Sequence, residues 1–378
     1  MARIYHDEDA DLKVLDDQTI ALIGYGNQGR SQALNLRDSG ANVIIGTIPD
    51  AGAELARRDG FSVSGIAEAS ALADIVMLLI PDEVMPEVFK THVAPQLAYG
   101  DLVVFASGYN IAFDMIQLPA RVDVALVAPR MIGIGVRETF LAGAGFPSFV
   151  CVHEDATGTA RARTLAIAKG IGSTRAGCIE MSMRDEATLD LFTEQAFGPA
   201  FGRVLMSAIE LLVEAGYPPE AVMLELYLSG ELSYSLEKMR EVGMMKQMDF
   251  HSRTSQYGTI TRGARFLSLG DPIKQTMREV LAEIRSGSFA DEWSTQQPTA
   301  TALFERIREA RDQLPVARWD ESARAAFRIG NANGNANRGA NGGAKSGAKP
   351  QRRAKPPRAA AHSRSARPLD PPPPAGAR

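Results

Sequence analysis

Residues 20–40, IALIGYGNQGRSQALNLRDSG, place three glycines between an apolar run and a helical pattern. The spacing Gly24-x-Gly26-x-x-Gly29 provides a tight turn, then a close backbone approach to a pyrophosphate, then close packing of helix on strand. The start of the following helix adds unpaired amide groups and the positive end of the helix dipole. The alternative is a glycine-rich turn with no ligand. We predict a dinucleotide-binding turn made of Gly24, Tyr25, Gly26, Asn27, Gln28 and Gly29.

Six short apolar runs surround this turn in the first half of the chain. They are nearly continuous in Val, Ile and Leu, as parallel strands covered on both faces should be, and helical patterns separate them. This alternation predicts an α/β fold with a Rossmann-type, doubly wound sheet. The runs cover residues 19–26, 42–47, 74–81, 102–108, 123–129 and 147–153.

Strand patterns stop near residue 181, and helical patterns continue to about residue 328. We therefore predict a dinucleotide-binding domain over 1–180, an all-α metal and substrate domain over 181–328, and a basic tail over 329–378. From Asn331 onward the chain carries ten Lys or Arg and one Asp, with few apolar residues. Such a segment is expected to be disordered. A weak tether to polyanions is the alternative, but no aromatic residue offers base stacking, so nucleic-acid binding is not expected.

The overall composition indicates a water-soluble protein. The chain has 378 residues, of which 45% are hydrophobic and 23% charged. It has no uninterrupted apolar stretch of about eighteen residues, so no membrane span is expected. The two cysteines, Cys151 and Cys178, have no metal-type spacing, which favours a reducing cytoplasm.

The end of the second predicted strand bears on the choice of coenzyme. It reads GTIPD, so Asp50 is the first charged group after Thr47. A carboxylate suits a ribose 2′-hydroxyl, whereas a 2′-phosphate needs a nearby cation. This favours NADH, although Arg57 and Arg58 further along could still serve NADPH. Asp50 could alternatively cap the next helix.

Residues 190–198, DLFTEQAFG, place two carboxylates one helical turn apart in apolar surroundings. On what reads as a buried helix, Asp190 and Glu194 would repel each other and lose hydration. A divalent cation would offset both effects. The alternative is an exposed pair on a solvated helix face.

These motifs, in their order, resemble those of ketol-acid reductoisomerases of the short, class I type, from about residue 14 to about 295. The resemblance implies a Rossmann domain and a knotted helical domain, paired into dimers or higher homo-oligomers. It also implies two Mg²⁺ ions and NAD(P)H, which serve alkyl migration in a 2-acetyl-2-hydroxy acid and its reduction to a 2,3-dihydroxy acid. The matching segments are GYGNQGRSQALNLRDSG, LIPDEV, VAP, GIGSTRAG, DLFTEQ, VEAGYPPE and SQYG.

The resemblance also assigns the metal ligands. It implies that Asp190 and Glu194 bind Mg²⁺ and that a second carboxylate pair begins at Glu225. The residue four positions later is Ser229, a poor Mg²⁺ ligand. If two residues are inserted at Ser229-Gly230, Glu231 is the counterpart, and a glycine is a plausible place for such a helix irregularity.

Two departures fall at the expected reaction centre. The histidine of the AHGFNI-like motif is Ser107, which cannot shuttle a proton near neutral pH as imidazole does. The lysine after VAP is Arg130, which keeps the charge but does not release a proton. The next residues are Met131, Ile132 and Gly133, where the resemblance leads one to expect Gly-Pro-Gly. The bulky Met131 and Ile132 are therefore expected to reshape the loop around Gly133, at the nicotinamide end of the cofactor site. Ser252 corresponds to a substrate-carboxylate contact, with a helix cap as the alternative.

Three functions follow from this pattern. The first is a ketol-acid reductoisomerase that acts on 2-acetolactate in branched-chain amino-acid biosynthesis. The second is a diverged enzyme that reduces a related 2-keto acid without full isomerisation. The third is a catalytically silent dinucleotide-binding protein.

Overall fold

The computed structural model describes residues 2–329, so all but the first residue of the predicted tail lies outside the described residues. The described chain contains one nine-stranded sheet with helices on both faces. Its strands are β1 (Ile4–Tyr5), β2 (Thr19–Ile23), β3 (Asn42–Gly46), β4 (Ser62–Ser64), β5 (Ile75–Leu78), β6 (Leu102–Phe105), β7 (Asp123–Pro129), β8 (Ser148–Glu154) and β9 (Cys178–Glu180).

Helices connect the strands and make up the chain after residue 182. In the sheet region they are α1 (Asn27–Asp38), α2 (Ala51–Arg58), α3 (Ile66–Leu72), α4 (Met85–Val88), α5 (Tyr109–Ala112), α6 (Gly133–Leu141) and α7 (Ala160–Ile171). After it come α8 (Met183–Phe192), α9 (Gly198–Glu214), α10 (Pro219–Met223), α11 (Glu231–Val242), α12 (Arg253–Gly263), α13 (Gly270–Ser286), α14 (Ser288–Gln296), α15 (Ala300–Asp312) and α16 (Pro315–Ala326). Two π-helical segments, Thr193–Phe197 and Leu224–Leu228, interrupt the later helices.

The strand order is β1-β9-β8-β7-β6-β5-β2-β3-β4. From β4 to β7 all neighbours are parallel, and the connection changes direction between β2 and β5. In such sheets ligands bind at the carboxyl ends of the strands beside this switch point.

All six predicted runs form strands, which confirms the α/β fold. The sixth, β8, runs antiparallel to β7 rather than parallel, and β9 and β1 extend the sheet beyond it. The short strands β1, β4 and β9 are missing from the prediction because two or three residues carry too little periodicity to be distinguished from a loop.

The middle strands form the core. Every residue of β5 and β6 is buried. Apolar clusters lie on both faces of the sheet, one including Leu22 and Ile75, the other Val76 and Phe105. Burial on both faces explains why these strands appear in the sequence as continuous apolar runs instead of alternating ones.

The helices after residue 182 are less well buried. A small core of Ile209, Val222, Met223 and Ala323 joins α9, α10 and α16. In contrast, Phe197 and Phe201 are 56% and 43% exposed. The expectation of a buried helix at 190–198 is therefore wrong for the single chain, because nothing in residues 2–329 covers this side of the helix.

The helical stretch Met183–Glu214 is long and apolar enough, by length and composition alone, to cross a membrane, and only 11% of its most apolar part is buried. This stretch also carries Asp190 and Glu194. An exposed apolar surface of this kind is typical of an interaction site.

The predicted domain boundary near residue 180 falls between β9 and α8, but all described residues belong to one compact unit. The three-part division and the knot in the helical region therefore stay predictions.

Candidate active site

The glycine-rich turn joins β2 to α1 at the switch point. Gly24 has φ +96°, and a Cβ there would lie 2.7 Å from the carbonyl oxygen of Leu79. A Cβ on Gly29 would overlap the carbonyl oxygen of Gly24. The backbone itself therefore requires glycine at both positions, as the spacing predicts.

Gly26 has a different role. It is the exposed N-cap residue of α1 and has no side chain that could cap the helix. A Cβ built on it would meet no atom within 4 Å. The fold therefore leaves open space beside the first amides of α1, at the positive end of the helix dipole. Open space next to helix amides fits a pyrophosphate, so the residues present fit a dinucleotide.

The side chain of Tyr25 is directed away from this space. Its ring is buried and its hydroxyl donates to Asp59 Oδ2 at 2.8 Å, while Arg30 Nε lies 2.7 Å from the same oxygen. Burial, together with the bond to Asp59, raises the pKa of Tyr25. Only the backbone of Tyr25 therefore faces the predicted cofactor position.

At the end of β3, the Asp50 side chain caps α2 by accepting from Ala53 N–H at 2.9 Å. The capping alternative is thus confirmed, but Asp50 is exposed and its second oxygen remains available to a ribose. Arg57 and Arg58 stand at the far end of α2, about 10 Å along the axis from its start. Arg58 is also within 3.3 Å of Glu54.

The carboxyl edge of β7 holds an ion-pair cluster. Arg130 Nη1 donates to Asp190 Oδ1 at 2.6 Å, and Arg130 Nη2 donates to Glu186 Oε1 at 2.8 Å. The guanidinium carbon also lies 4.9 Å from the ring centroid of Phe149. The side chains of Glu186, Arg130 and Asp190 are 0%, 25% and 42% exposed, so the cluster opens to solvent on the Asp190 side.

A close approach of α8 to the turn after β6 positions this cluster. A Cβ on Gly108 would overlap the carbonyl oxygen of Met183, so only glycine lets the helix pack this close. Glu186 Oε2 accepts from the Gly108 N–H at 2.6 Å. The Glu186 carboxylate therefore links α8 both to the turn after β6 and to Arg130.

The carboxylates around Arg130 are close enough to raise one another's pKa values. Burial raises the pKa of Glu186 to about 7, against the opposing effects of the Gly108 amide and Arg130. Burial, followed by the charges of Glu83, Asp190 and Glu194, raises the pKa of Asp82 to about 6. The pKa of Glu194 is raised by burial and by Asp190. The site therefore carries excess negative charge, which a bound cation would stabilise.

Two contacts join the cluster to the glycine turn. Gln28 Nε2 donates to the carbonyl of Met131 at 2.8 Å. A Cβ on Gly133 would overlap the carbonyl of Asn27, so the loop after β7 lies directly against the turn. Ser107, half-buried at the end of β6, accepts from Tyr109 N–H at 3.2 Å, which leaves its own proton free to donate.

Comparison with known proteins assigns the chain to a family. A family model described as "Acetohydroxy acid isomeroreductase, NADPH-binding domain" matches residues 14–177, and one described as "Ketol-acid reductoisomerase, C-terminal domain" matches residues 183–329. The chain belongs to the ketol-acid reductoisomerase family.

Two relatives agree with this assignment. The ketol-acid reductoisomerase (NADP(+)) of Methanopyrus kandleri is 44% identical over 86% of this chain and 98% of its own length. The solved structure of an NADH-preferring ketol-acid reductoisomerase from an uncultured archaeon has a TM-score of 0.80 and 35% identity, and covers 85% of this chain and 98% of its own. A putative oxidoreductase from Jannaschia sp., at 15% identity and a TM-score of 0.53 over 71% of this chain and 97% of its own, shares the fold alone.

As a ketol-acid reductoisomerase, the chain is an NAD(P)H-dependent oxidoreductase, which sets aside the reading as a silent binding protein. The structure brings Ser107, Arg130, Asp190 and the glycine turn to one edge of the sheet. Glu194 follows on the same helix, in the π-helical segment Thr193–Phe197. Such segments are frequent at functional sites.

Three predicted site residues lie elsewhere in the single chain. Glu225 and Glu231 are both exposed, and no described contact links either to Asp190. Gly230 has φ +83° and breaks the helix, so Ser229 ends the segment that carries Glu225 and Glu231 begins α11. Ser252 is exposed and caps α12 by accepting from Ser255 N–H at 3.2 Å. Their roles stay predictions.

Sequence reasoning missed Glu186 and Asp82. Glu186 precedes Asp190 by four residues, as Asp190 precedes Glu194, so a run of three carboxylates at helical spacing was visible. Asp82 follows β5 at the carboxyl edge, and Asn110 Nδ2 donates to its Oδ1 at 3.2 Å.

The described residues offer few ligands for Mg²⁺. Within residues 2–329, no group of three or more His, Cys, Asp or Glu side chains could hold a metal ion. Asp190 and Glu194 nevertheless offer hard oxygens, and Mg²⁺ in proteins is often bound through one or two carboxylates with several waters retained. The donor chemistry of Asp190 and Glu194 therefore suits Mg²⁺, and binding of the ion there stays a prediction.

Proposed function

We propose that this ketol-acid reductoisomerase converts 2-acetolactate, or a similar 2-acetyl-2-hydroxy acid, into a 2,3-dihydroxy acid with NAD(P)H and Mg²⁺. This reaction belongs to branched-chain amino-acid biosynthesis. The observation that carries the proposal is the meeting of the open Gly26 turn with the Asp190–Arg130 cluster at one edge of the sheet, joined through Gln28 and Met131.

Each group has a role in this proposal. A bound Mg²⁺ would polarise the substrate oxygens, and Asp190 and Glu194 would hold it. The guanidinium of Arg130 is 25% exposed and keeps N–H groups beyond those bonded to Asp190 and Glu186, which would orient a carboxylate or an enolate oxygen. Ser107 can donate a hydrogen bond to the substrate, and the buried Glu186 holds Arg130 and the Gly108 turn in place.

A second candidate function is reduction of a related 2-keto acid without alkyl migration. One observation favours it: Ser107 and Arg130 stand where the family pattern has histidine and lysine. Neither side chain transfers protons near neutral pH as those two do. Hydride transfer from the nicotinamide makes smaller demands on such groups than a rearrangement that shifts a carbon substituent.

Two substrates separate the candidates. The purified protein is incubated with Mg²⁺ and NADH or NADPH, and nicotinamide absorbance is followed. Turnover of 2-acetolactate to the dihydroxy acid supports the full reaction. Turnover of 3-hydroxy-3-methyl-2-oxobutanoate alone supports the second candidate, because this keto acid needs only the hydride step. Absence of turnover with both would contradict both candidates.

For the coenzyme we propose a preference for NADH. Asp50 presents a carboxylate at the ribose end of β3, and Arg57 and Arg58 lie about two turns away along α2. A 2′-phosphate would face this carboxylate without a cation beside it. The ratio of kcat/KM for NADH to that for NADPH should exceed one, and Asp50→Ser should lower it, while Glu54→Ser on the same helix should leave it unchanged.

We propose a homodimer or larger homo-oligomer in the cytoplasm. Large apolar side chains are exposed along the helices after residue 182, and a second copy is the occupant we propose. Glu225 and Glu231, exposed in one chain, would then reach the site of a partner. The most exposed apolar residues include Val204, Leu211, Met244, Met245, Phe250, Tyr257, Ile260, Phe266 and Leu267.

A further inference from the structure

The backbone of Arg30 lies close to the predicted cofactor position. Its N–H donates to the Gly26 carbonyl at 2.9 Å, so Arg30 lies one helical turn, about 6 Å, along α1 from that glycine. The start of α2 lies against the same turn, because a Cβ on Gly52 would come within 3.3 Å of the Tyr25 carbonyl oxygen. The first turns of α1 and α2 therefore meet beside the turn, and Arg30 belongs to one of them.

The guanidinium group of Arg30 is bound elsewhere, by Asp59 at the end of α2. Arg30 Nε donates to Asp59 Oδ2 at 2.7 Å, and Nη2 donates to Oδ1 at 3.3 Å. The Tyr25 hydroxyl donates to the same Oδ2 at 2.8 Å. The helix α2 has eight residues, so Asp59 lies about 12 Å along its axis from Asp50. The charge of Arg30 is therefore held at the end of α2 opposite to Asp50.

The Asp59 carboxylate is well suited to hold this cation. Its side chain is 17% exposed, whereas that of Arg30 is 45% exposed. Burial would raise the pKa of Asp59, but the bonds from Arg30 and Tyr25 outweigh burial and lower this pKa, so the carboxylate is charged at neutral pH. A two-point contact between a guanidinium and a carboxylate is stronger and more specific in geometry than a single surface contact. Loss of the Asp59 charge should therefore release the guanidinium, which solvent already reaches.

We propose that Asp59 is a coenzyme-specificity residue, which weakens NADPH binding by holding Arg30 away from the 2′-phosphate. An arginine beside the ribose stabilises a 2′-phosphate, and Arg30 starts from the helix turn next to that position. The proposal rests on the coenzyme preference proposed above, to which it adds a second cause besides Asp50. Asp59 is a positioning residue here, because it acts through Arg30 and not through contact with the coenzyme.

Fluorescence titration of the full-length protein with NADPH and with NADH tests this proposal apart from turnover. We expect Asp59→Asn to lower the Kd for NADPH about tenfold relative to the Kd for NADH, because the released guanidinium can bond to the 2′-phosphate. Asparagine has the size of aspartate and still accepts from the Tyr25 hydroxyl, so the fold should be retained, and urea unfolding checks this. A ratio of the two Kd values that does not change would overturn the proposal.

Two further variants identify Arg30 as the group responsible. The gain in NADPH affinity should disappear when Arg30→Gln is added to Asp59→Asn; a gain that persists in the double variant would overturn the proposal, since the lost negative charge would then suffice. Asp38→Asn is the matched control, because Asp38 also pairs with an arginine, Arg137, but at the far end of α1. It should leave the ratio unchanged, and an equal gain there would also overturn the proposal.

The unaltered protein separates this proposal from the coenzyme preference on which it rests. If the unaltered protein bound NADPH more tightly than NADH, the proposed preference would be wrong. The change of the ratio in Asp59→Asn would still decide the role of Asp59, because it is measured relative to the unaltered protein.

Discussion

The substitution Gly26→Ala should separate cofactor binding from folding. Gly26 has φ −84° and ψ −156°, an extended conformation that alanine adopts, and no atom lies within 4 Å of the new methyl group. Alanine reduces the freedom of the unfolded chain, which stabilises by about 0.4–1 kcal/mol. At an N-cap it is worse than glycine by about the same amount. The free energy of unfolding should therefore change by less than about 0.5 kcal/mol.

Cofactor affinity should change far more. The methyl group of Gly26→Ala occupies the open space beside the first amides of α1, where a pyrophosphate would approach. Loss of one hydrogen bond to a charged phosphate, worth about 1.5–3 kcal/mol, would weaken binding by that amount. The Kd for NADH should thus rise by about 10- to 140-fold.

Fluorescence titration with NADH gives the affinity, and urea unfolding gives the stability. Gly65→Ala is the matched control, since Gly65 is the N-cap of α3 and is equally open, yet lies outside the turn. Gly29→Ala should destabilise by about 1–3 kcal/mol or more, because its methyl group meets backbone. Unchanged NADH affinity in Gly26→Ala, or a loss of stability above about 2 kcal/mol, would refute the reasoning.

Four further outcomes are expected. Asp190→Asn should lower Mg²⁺-dependent dihydroxy-acid formation by at least about 100-fold; unchanged product formation would contradict the metal assignment. Arg163→Met should lower the free energy of unfolding in urea by about 3–5 kcal/mol, because it leaves Asp123 charged and buried; a loss below about 1 kcal/mol would show that the pair contributes little. Phe201→Glu, on the exposed face of α9, should shift the sedimentation profile toward smaller species; an identical profile would count against this face as an interface. Since the folded-state pKa of Glu186 is raised from 4.5 to about 7, the folded chain binds the extra proton in this range, so the metal-free protein should lose stability as pH rises from about 5 to 7. Glu186→Gln should flatten this dependence, and equal slopes would exclude Glu186 as its source.

The sheet was predictable because the burial of each strand is visible in that strand's own sequence. Strands β2, β5, β6 and β7 are buried on both faces, so each is a continuous apolar run in the sequence. The glycine turn was predictable for the same reason, since a Cβ on Gly29 would overlap the carbonyl oxygen of Gly24, only five residues earlier. The direction of β8 was not, because an apolar run is the same in both orientations.

The ion-pair cluster was only partly predictable. Asp190, Arg130 and Ser107 were recognised from motifs, but their contacts depend on how α8 packs on the turn after β6. That packing depends on Gly108, which no helix pattern marks as special. Glu186 was overlooked since a carboxylate in the first turn of a helix is usually explained by the helix dipole alone.

The burial of residues 190–198 was misjudged for a related reason. An apolar sequence pattern favours a covered surface, but it carries no information on which chain supplies the cover. Phe197 is 56% exposed in the single chain.

The absence of room at Gly133 has a consequence for how this enzyme can diverge. Because the main chain after β7 rests on the carbonyl of Asn27, neither segment can shift without displacing the other. New chemistry at this centre is then reached by substituting side chains while the backbone keeps its conformation. If Ser107 and Arg130 replace the histidine and lysine that the family resemblance implies, they are substitutions of this kind, and the nucleotide turn beside them has all three of its glycines.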